Sequence, residues 1–218
     1  MRTRVAATVV GVAVFLGGSA WADTSLEFWP ELDTWVRLTD PAQLLFIVSG
    51  DRDADSGDKT DGKFGVYFDY RSSDRISLRG GYVLQRNLAE SPGQKDTVEN
   101  RLVFDFNYRW PIGQHGQLAD RVRLDLRDME GETSYRIRNR LRYAQEIKLT
   151  HITLTPYASI EAYYDSRFDT ISRYRTEVGT SVPFARRFES DFYVAWQHDT
   201  QPKDQKIAAL GLTLTLKF

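Results

Sequence analysis

The chain has 218 residues, 29 of them basic and 30 acidic, with 13% aromatics and no cysteine. That length suits one domain or two small ones. The lack of cysteine excludes disulfides, thiol catalysis and cysteine-based zinc sites, and the near balance of charge excludes a basic nucleic-acid surface.

Residues 1–22, "MRTRVAATVVGVAVFLGGSAWA", read as a cleaved export signal. Arg2 and Arg4 form a charged start, Val5 to Leu16 an apolar run, and Ala20-Trp21-Ala22 a cleavage site. The run is too short for a spanning helix, which needs roughly 20 apolar residues. The mature chain then begins near Asp23 as a single domain over 23–218. It keeps 27 basic residues (29 less Arg2 and Arg4) against 30 acidic ones. No later apolar run is long enough to cross a membrane as a helix.

After residue 25 the sequence alternates with period 2, the mark of β-strands. Leu26, Phe28, Leu32 and Val36 alternate with Glu27, Trp29, Glu31, Asp33 and Trp35. Leu102, Phe104 and Phe106 alternate with Arg101, Val103 and Asp105; Ile160, Ala162 and Tyr164 with Glu161 and Tyr163. Eleven candidate strands result: 26–38, 43–50, 63–71, 75–86, 98–110, 120–128, 134–147, 152–165, 172–182, 188–197 and 206–218. Short turns such as 39–43 and 72–75 largely alternate with long polar loops at 49–63, 87–97 and 198–206, and 111–120 is an intermediate connection.

The segment "SYRIRNRLRY" (134–143) sharpens the reading. Arg136, Arg138, Arg140 and Arg142 share one face, with Ile137, Leu141 and Tyr143 on the other. A soluble sandwich would also alternate. Here, however, the polar faces carry opposite charges and tyrosines that suit a wet or ion-paired interior. The apolar faces carry aromatics near strand ends, as at Tyr108, Trp110, Tyr135, Tyr164 and Phe218. Alternating segments of about ten residues with aromatic girdles indicate a transmembrane β-barrel. The expected fold is all-β, an antiparallel up-and-down transmembrane β-barrel of ten to twelve strands. Bacterial single-chain barrels have even strand numbers, so eleven candidates imply a merged pair or a false stave. Pro30 makes 26–38 the suspect, because proline is disfavoured inside strands.

The last segment, "LGLTLTLKF", places Leu210, Leu212, Leu214, Leu216 and Phe218 on one face. Leu212, Leu214, Leu216 and Phe218 resemble the assembly signal that outer-membrane barrels present to their insertion machinery. The stretches "ADRVRLDLRD", "SYRIRNRLRY", "ITLTPYASIEAYYDSRFD", "ISRYRTEVGTSVPFARRFESDFYVAWQHD" and "ALGLTLTLKF", with the opening "WPELDTWVRLTDPAQLLF", look like the small bacterial outer-membrane barrels catalogued as a domain of unknown function. The likeness covers roughly residues 26–218 and implies fold and location, with no established activity. In architecture and arginine spacing the chain is also similar to small monomeric porins for acidic oligosaccharides.

The inward faces supply the candidate site. Arg121, Arg123, Arg127, Arg136, Arg138, Arg140, Arg142, Arg173 and Arg175 form a basic set. Glu27, Glu31, Asp33, Glu161, Glu177, Glu189 and Asp191 are the inward carboxylates. Either the arginines face a narrow channel, where guanidiniums bind carboxylates and phosphates bidentately, or they pair into a closed filling. His115 and His151 fall in turns. His198, beside Asp199, sits near a loop with Asp165, Ser166 and Asp169, but no nucleophile–base constellation is evident and no catalytic residue is assigned. The loop "DRDADSGDKTDG" (51–62) fails the calcium pattern, with Ser56 and Gly62 where Gly and Glu are needed. No metal or cofactor is expected.

The functional expectation is a non-enzymatic barrel in the bacterial outer membrane. Its first reading is a narrow porin-like channel for passive diffusion of small solutes, anions among them. A non-conducting structural or surface-interaction barrel is the alternative, and a rim-located hydrolase a third. The expected partners are outer-membrane lipid and lipopolysaccharide, the insertion machinery and small solutes, with no nucleic acid.

Overall fold

The computed structural model describes residues 24–53, 60–88, 95–150 and 152–218. The segment 1–22, His151 and residues 54–59 of the 51–62 loop lie outside the described residues. Twelve strands follow in order: β1 (Thr24–Arg37), β2 (Ala42–Asp53), β3 (Thr60–Arg71), β4 (Ile76–Asn87), β5 (Thr97–Ile112), β6 (Gly116–Met129), β7 (Glu132–Gln145), β8 (Ile147–Lys148), β9 (Thr153–Asp165), β10 (Thr170–Ala185), β11 (Phe188–Asp199) and β12 (Gln205–Lys217). No helix occurs among the described residues.

Eleven of these strands, all but β8, close into one ring, and each pairs with its neighbour in the chain. The two-residue β8 continues the run of β7 after a break at Glu146 and pairs only with β9. All eleven candidate segments are staves. An odd ring cannot be antiparallel throughout, so its first and last strands must run the same way. β1 and β12 accordingly pair in parallel from Thr24↔Lys206 to Trp35↔Lys217. The expectation of an even, wholly antiparallel barrel is corrected at this seam.

Pro30 is accommodated by the same geometry. Its partner in β12 is Leu212, within an unbroken ladder, whereas pairing with β2 passes from Phe28↔Arg52 to Glu31↔Ser49 without partners for Trp29 and Pro30. The register is the same on both sides of that gap. A missing N–H removes one ladder bond without ending the strand. The 111–120 connection is tighter than its sequence suggests, because β5 and β6 leave only residues 113–115 between them and Gly113 takes a positive φ of 62°.

The alternation sorts the chain into two faces. Outside, large apolar side chains stand exposed around the ring: Leu102 at 50%, Ile160 at 56%, Val194 at 57% and Leu210 at 62%. Aromatics cluster near strand ends, with Tyr108 against Trp110 at 4.3 Å and Phe184 against Phe188 at 5.9 Å at one end. Tyr135 and Tyr164 lie 6.2 Å apart at the other. Inside, two apolar clusters are buried, one of Trp29, Ala195, Ile207 and Ala209, the other of Leu45, Tyr67, Val83 and Val103. Gly211 allows Tyr193 to lie flat on the inner wall, since a Cβ there would overlap its ring.

The parallel closure is testable because the chain has no cysteine. Glu31 and Thr213 are direct partners across the seam, within the Cα range that a disulfide spans. Glu31→Cys with Thr213→Cys should form an intramolecular disulfide on mild oxidation, read as altered gel mobility. Glu31→Cys with Lys217→Cys, four residues out of register, should not. Cross-linking of only the second pair would overturn the closure.

Candidate functional site

The inner face between β4 and β11 carries a continuous belt of guanidiniums and carboxylates. Its order follows from register. Asp105, on β5, lies between Arg79 on β4 and Arg123 on β6 as a direct cross-strand partner of both. Arg123 grips that carboxylate with two hydrogen bonds, at 2.6 and 2.7 Å, and Arg79 bonds Asp69 at 3.1 Å. Glu99 accepts from Arg101 at 2.7 Å and from Arg127. Arg127 also reaches past β7 to Asp165 on β9, at 2.8 Å. Arg136 donates twice to Asp125, at 3.1 and 2.9 Å.

Glu161 occupies the centre of the arginine-rich wall. Arg121 bonds it at 2.7 Å and Arg138 at 3.0 Å. The Tyr163 hydroxyl donates to it at 2.8 Å and accepts from Arg138 at 3.1 Å. Tyr163 is 2% exposed and lies between the arginines of β7 and those of β10. Arg138 stands 4.5 Å from its ring centre, and Arg136, Arg173 and Arg175 between 5.5 and 5.7 Å. A buried π-face attracts such cations. On the next strands Arg173 bonds both oxygens of its β11 partner Asp199, and Arg175 bonds its partner Gln197 at 3.0 Å and stacks on Trp29 at 4.4 Å.

Most of the sequence-selected arginines thus meet in one network. Arg142 is at its edge, 3.6 Å over Tyr157 and 3.7 Å from Asp191. Arg140 makes no ion pair among the described residues. The acidic set is less unified. Glu177 lies 3.9 Å from Arg175 and accepts from Ser159 at 3.2 Å. Glu31 sits on another wall, 3.5 Å from Lys63, and one oxygen of the neighbouring Asp33 is buried without a hydrogen-bond partner. Glu27 accepts from the Trp29 indole, and Glu189 pairs with Lys217 at 2.7 Å near the end that carries Phe218. There the Phe218 N–H donates to Trp35 and the Arg37 N–H to Phe218, both at 2.9 Å. Leu212, Leu214 and Leu216 lie on the outward side of β12.

Further carboxylates stand within the basic set itself. Glu99, Asp105 and Asp125 stand among the arginines on β5 and β6, with exposures of 1%, 3% and 1%. Sequence reading left out these carboxylates, together with Arg79, Arg101 and Tyr163. Their signal was parity, since all but Arg79 share the face of a selected arginine on their own or an adjacent strand, and Arg79 is the direct partner of Asp105. The reason they are needed is desolvation, which a buried guanidinium offsets only with a close anion.

The histidines are peripheral. His115 is 3.8 Å from Glu146 in a turn, and His198 hydrogen-bonds Asp204 at 2.7 Å. The neighbouring loop groups are engaged elsewhere. Ser166 accepts from the Tyr135 N–H at 2.9 Å, Asp169 from the Tyr164 hydroxyl at 2.6 Å, and Asp165 from Arg127 and Arg167. That last contact, through the Asp165 side chain, holds the Arg167 guanidinium above its ordinary pKa.

Removing one partner of a buried pair leaves an uncompensated charge, at a cost of about 3–5 kcal/mol. Asp125→Asn should destabilise the barrel by that order, because it strips Arg136 of its carboxylate. Asp40→Asn, in an exposed turn, should change stability by no more than about 0.5 kcal/mol. Thermal unfolding in detergent micelles compares the two, and equal midpoints would contradict the belt's structural role.

A family model described as "Protein of unknown function (DUF2490)" matches residues 26–208. No curated protein matches the chain.

Proposed function

Because the chain belongs to that family, whose description assigns no activity, we propose from the geometry that it is an integral barrel of the bacterial outer membrane with an interior closed at rest. Two features support the membrane reading. Among the described residues each of the eleven strands of the ring pairs on both sides, as hydrocarbon requires. Its outer face is an exposed apolar belt between aromatic clusters, the arrangement of barrels that face lipid and lipopolysaccharide. Four arginines facing lipid would be untenable, since each costs roughly 2–4 kcal/mol at the bilayer midplane.

The closed interior rests on the belt. The side chains of Asp105, Asp125 and Glu161 are 0%, 1% and 3% exposed, so most of the belt's charges are already engaged with each other. The second reading is a narrow porin-like passage. Partly exposed Lys63 and Glu31 on one wall and Arg142 on another favour it, with side chains 33%, 28% and 28% exposed. No hydrolytic role is proposed. His198 has Asp204 as its partner, and His198→Ala should leave lipid and peptide hydrolysis at background.

The protein should fractionate with outer membranes and migrate differently on gels when boiled. Recovery as a soluble periplasmic protein would defeat the membrane reading. In planar bilayers the inserted barrel should show no discrete conductance steps. Steady steps with anion preference, reduced by Arg142→Gln, would replace the closed reading with the porin-like one.

A further inference from the structure

The belt has a gap on the inner wall where β5, β6 and β7 run side by side. Asn107 is the cross-strand partner of Arg121, and Arg121 of Arg140. Direct partners in a sheet hold their Cβ atoms about 4.5–5.5 Å apart, so these three side chains share one locality. Asn107 Nδ2 and Arg121 Nε are buried without a hydrogen-bond partner. Arg140 has no ion-pair partner among the described residues. The carboxylate across from it, Glu161, is already held by Arg121 at 2.7 Å and Arg138 at 3.0 Å. Glu161 therefore faces three guanidiniums, and Glu177, the other carboxylate that acts on Arg140, lies 3.9 Å from Arg175 and accepts from Ser159.

Every unmet group at this place is a donor, from an amide N–H₂ or a guanidinium. Water could satisfy the hydrogen bonds but not the excess positive charge. An oxyanion satisfies both, and arginine's fork matches the two oxygens of a carboxylate or phosphate. An approach also exists. Ala119 lies two residues nearer the β5–β6 turn than Arg121, on the same face, between Arg109 and Arg142. Its side chain is a single methyl group. Arg109 is exposed and Arg142 is 28% exposed, so positive charge lines the way in from that end and raises the local concentration of anions.

We propose that Asn107, Arg121 and Arg140 form an anion site that takes the carboxylate or phosphate group of a small solute entering from the barrel end that carries the β5–β6 turn. The site goes beyond the closed-barrel reading and does not depend on where the barrel resides or on whether it conducts.

Titration calorimetry on the full chain refolded in detergent micelles tests it, with inorganic phosphate and acetate as probes and ionic strength held constant. Wild-type protein should bind at least one probe saturably, and the preferred probe distinguishes a phosphate source from a carboxylate source. Arg140→Gln should weaken binding at least tenfold. That variant should fold, because it leaves no carboxylate without its cation and removes a like-charge neighbour of Arg121. Its unfolding midpoint without anion should equal or exceed that of the wild type, and added probe should raise only the wild-type midpoint. Asn107→Leu supplies an independent variant with the same expected loss. Arg186→Gln, in the exposed β10–β11 turn, should bind as the wild type does. Failure of folded wild type to bind either probe would overturn the site, as would unchanged affinity in both Arg140→Gln and Asn107→Leu.

Discussion

Within a barrel whose outer face is apolar, an inward charge is costly unless it finds a counter-charge, most often on another strand. The arrangement around Tyr163 and Glu161 shows how strictly this binds the rest. Arg123 and Arg138 are direct cross-strand partners, and so are Arg121 and Arg140, an arrangement that like charges disfavour. The β6–β7 ladder is tolerable only because carboxylates are interleaved from three sides: Asp105 from β5, Asp125 from β6 itself and Glu161 from β9. Two of the bonds, Arg121 to Glu161 and Arg127 to Asp165, pass over β7 altogether. They tie strands that are not neighbours, so they hold the curvature of the wall as well as its charge.

Strand parity imposes the second constraint. Eleven staves close only through a parallel pair, and parallel pairing is slightly weaker per residue than antiparallel. The seam is long, running from Thr24 to Trp35 on β1. It is also reinforced from inside. Trp29, on β1, packs with Ala195, Ile207 and Ala209 from β11 and β12 and carries Arg175 on its face. An apolar cluster thus backs the seam where the ladder is least favourable, and the ionic belt takes over on the opposite wall.

The sequence made the faces legible, because one-residue slips invert every side chain and alternation therefore assigns inside and outside strongly. That is why Arg136, Arg138, Arg140 and Arg142 were placed together on one face from "SYRIRNRLRY" alone, and why all eleven segments were found. Two things were not legible. The closure was obscured by the even-number habit of such barrels and by Pro30, whose missing N–H costs one bond to β2 and none of the pairing to β12. The partners of the arginines were obscured because they depend on register across several strands. Glu99, Arg127 and Asp165 meet although 28 and 38 residues separate the successive pairs, and no local pattern encodes that meeting.

The same register explains why the belt is saturated on one side and deficient on another. Going round the wall from Asp105, each guanidinium has a carboxylate on an adjacent strand or one strand beyond, until Arg140 is reached. There no carboxylate comes within ion-pair distance: Asp125 is taken up by Arg136 and Arg138, Glu161 by Arg121 and Arg138, and Glu177, which acts on Arg140 only at longer range, lies against Arg175 and Ser159. Asn107, which could have been a carboxylate at the same inward position, adds a donor instead. A purely structural filling would gain from an Asp at residue 107 or a neutral side chain at 140, since either change would remove the imbalance. The local excess of donors is therefore a feature that packing and charge balance oppose, and binding chemistry gives it a reason to persist.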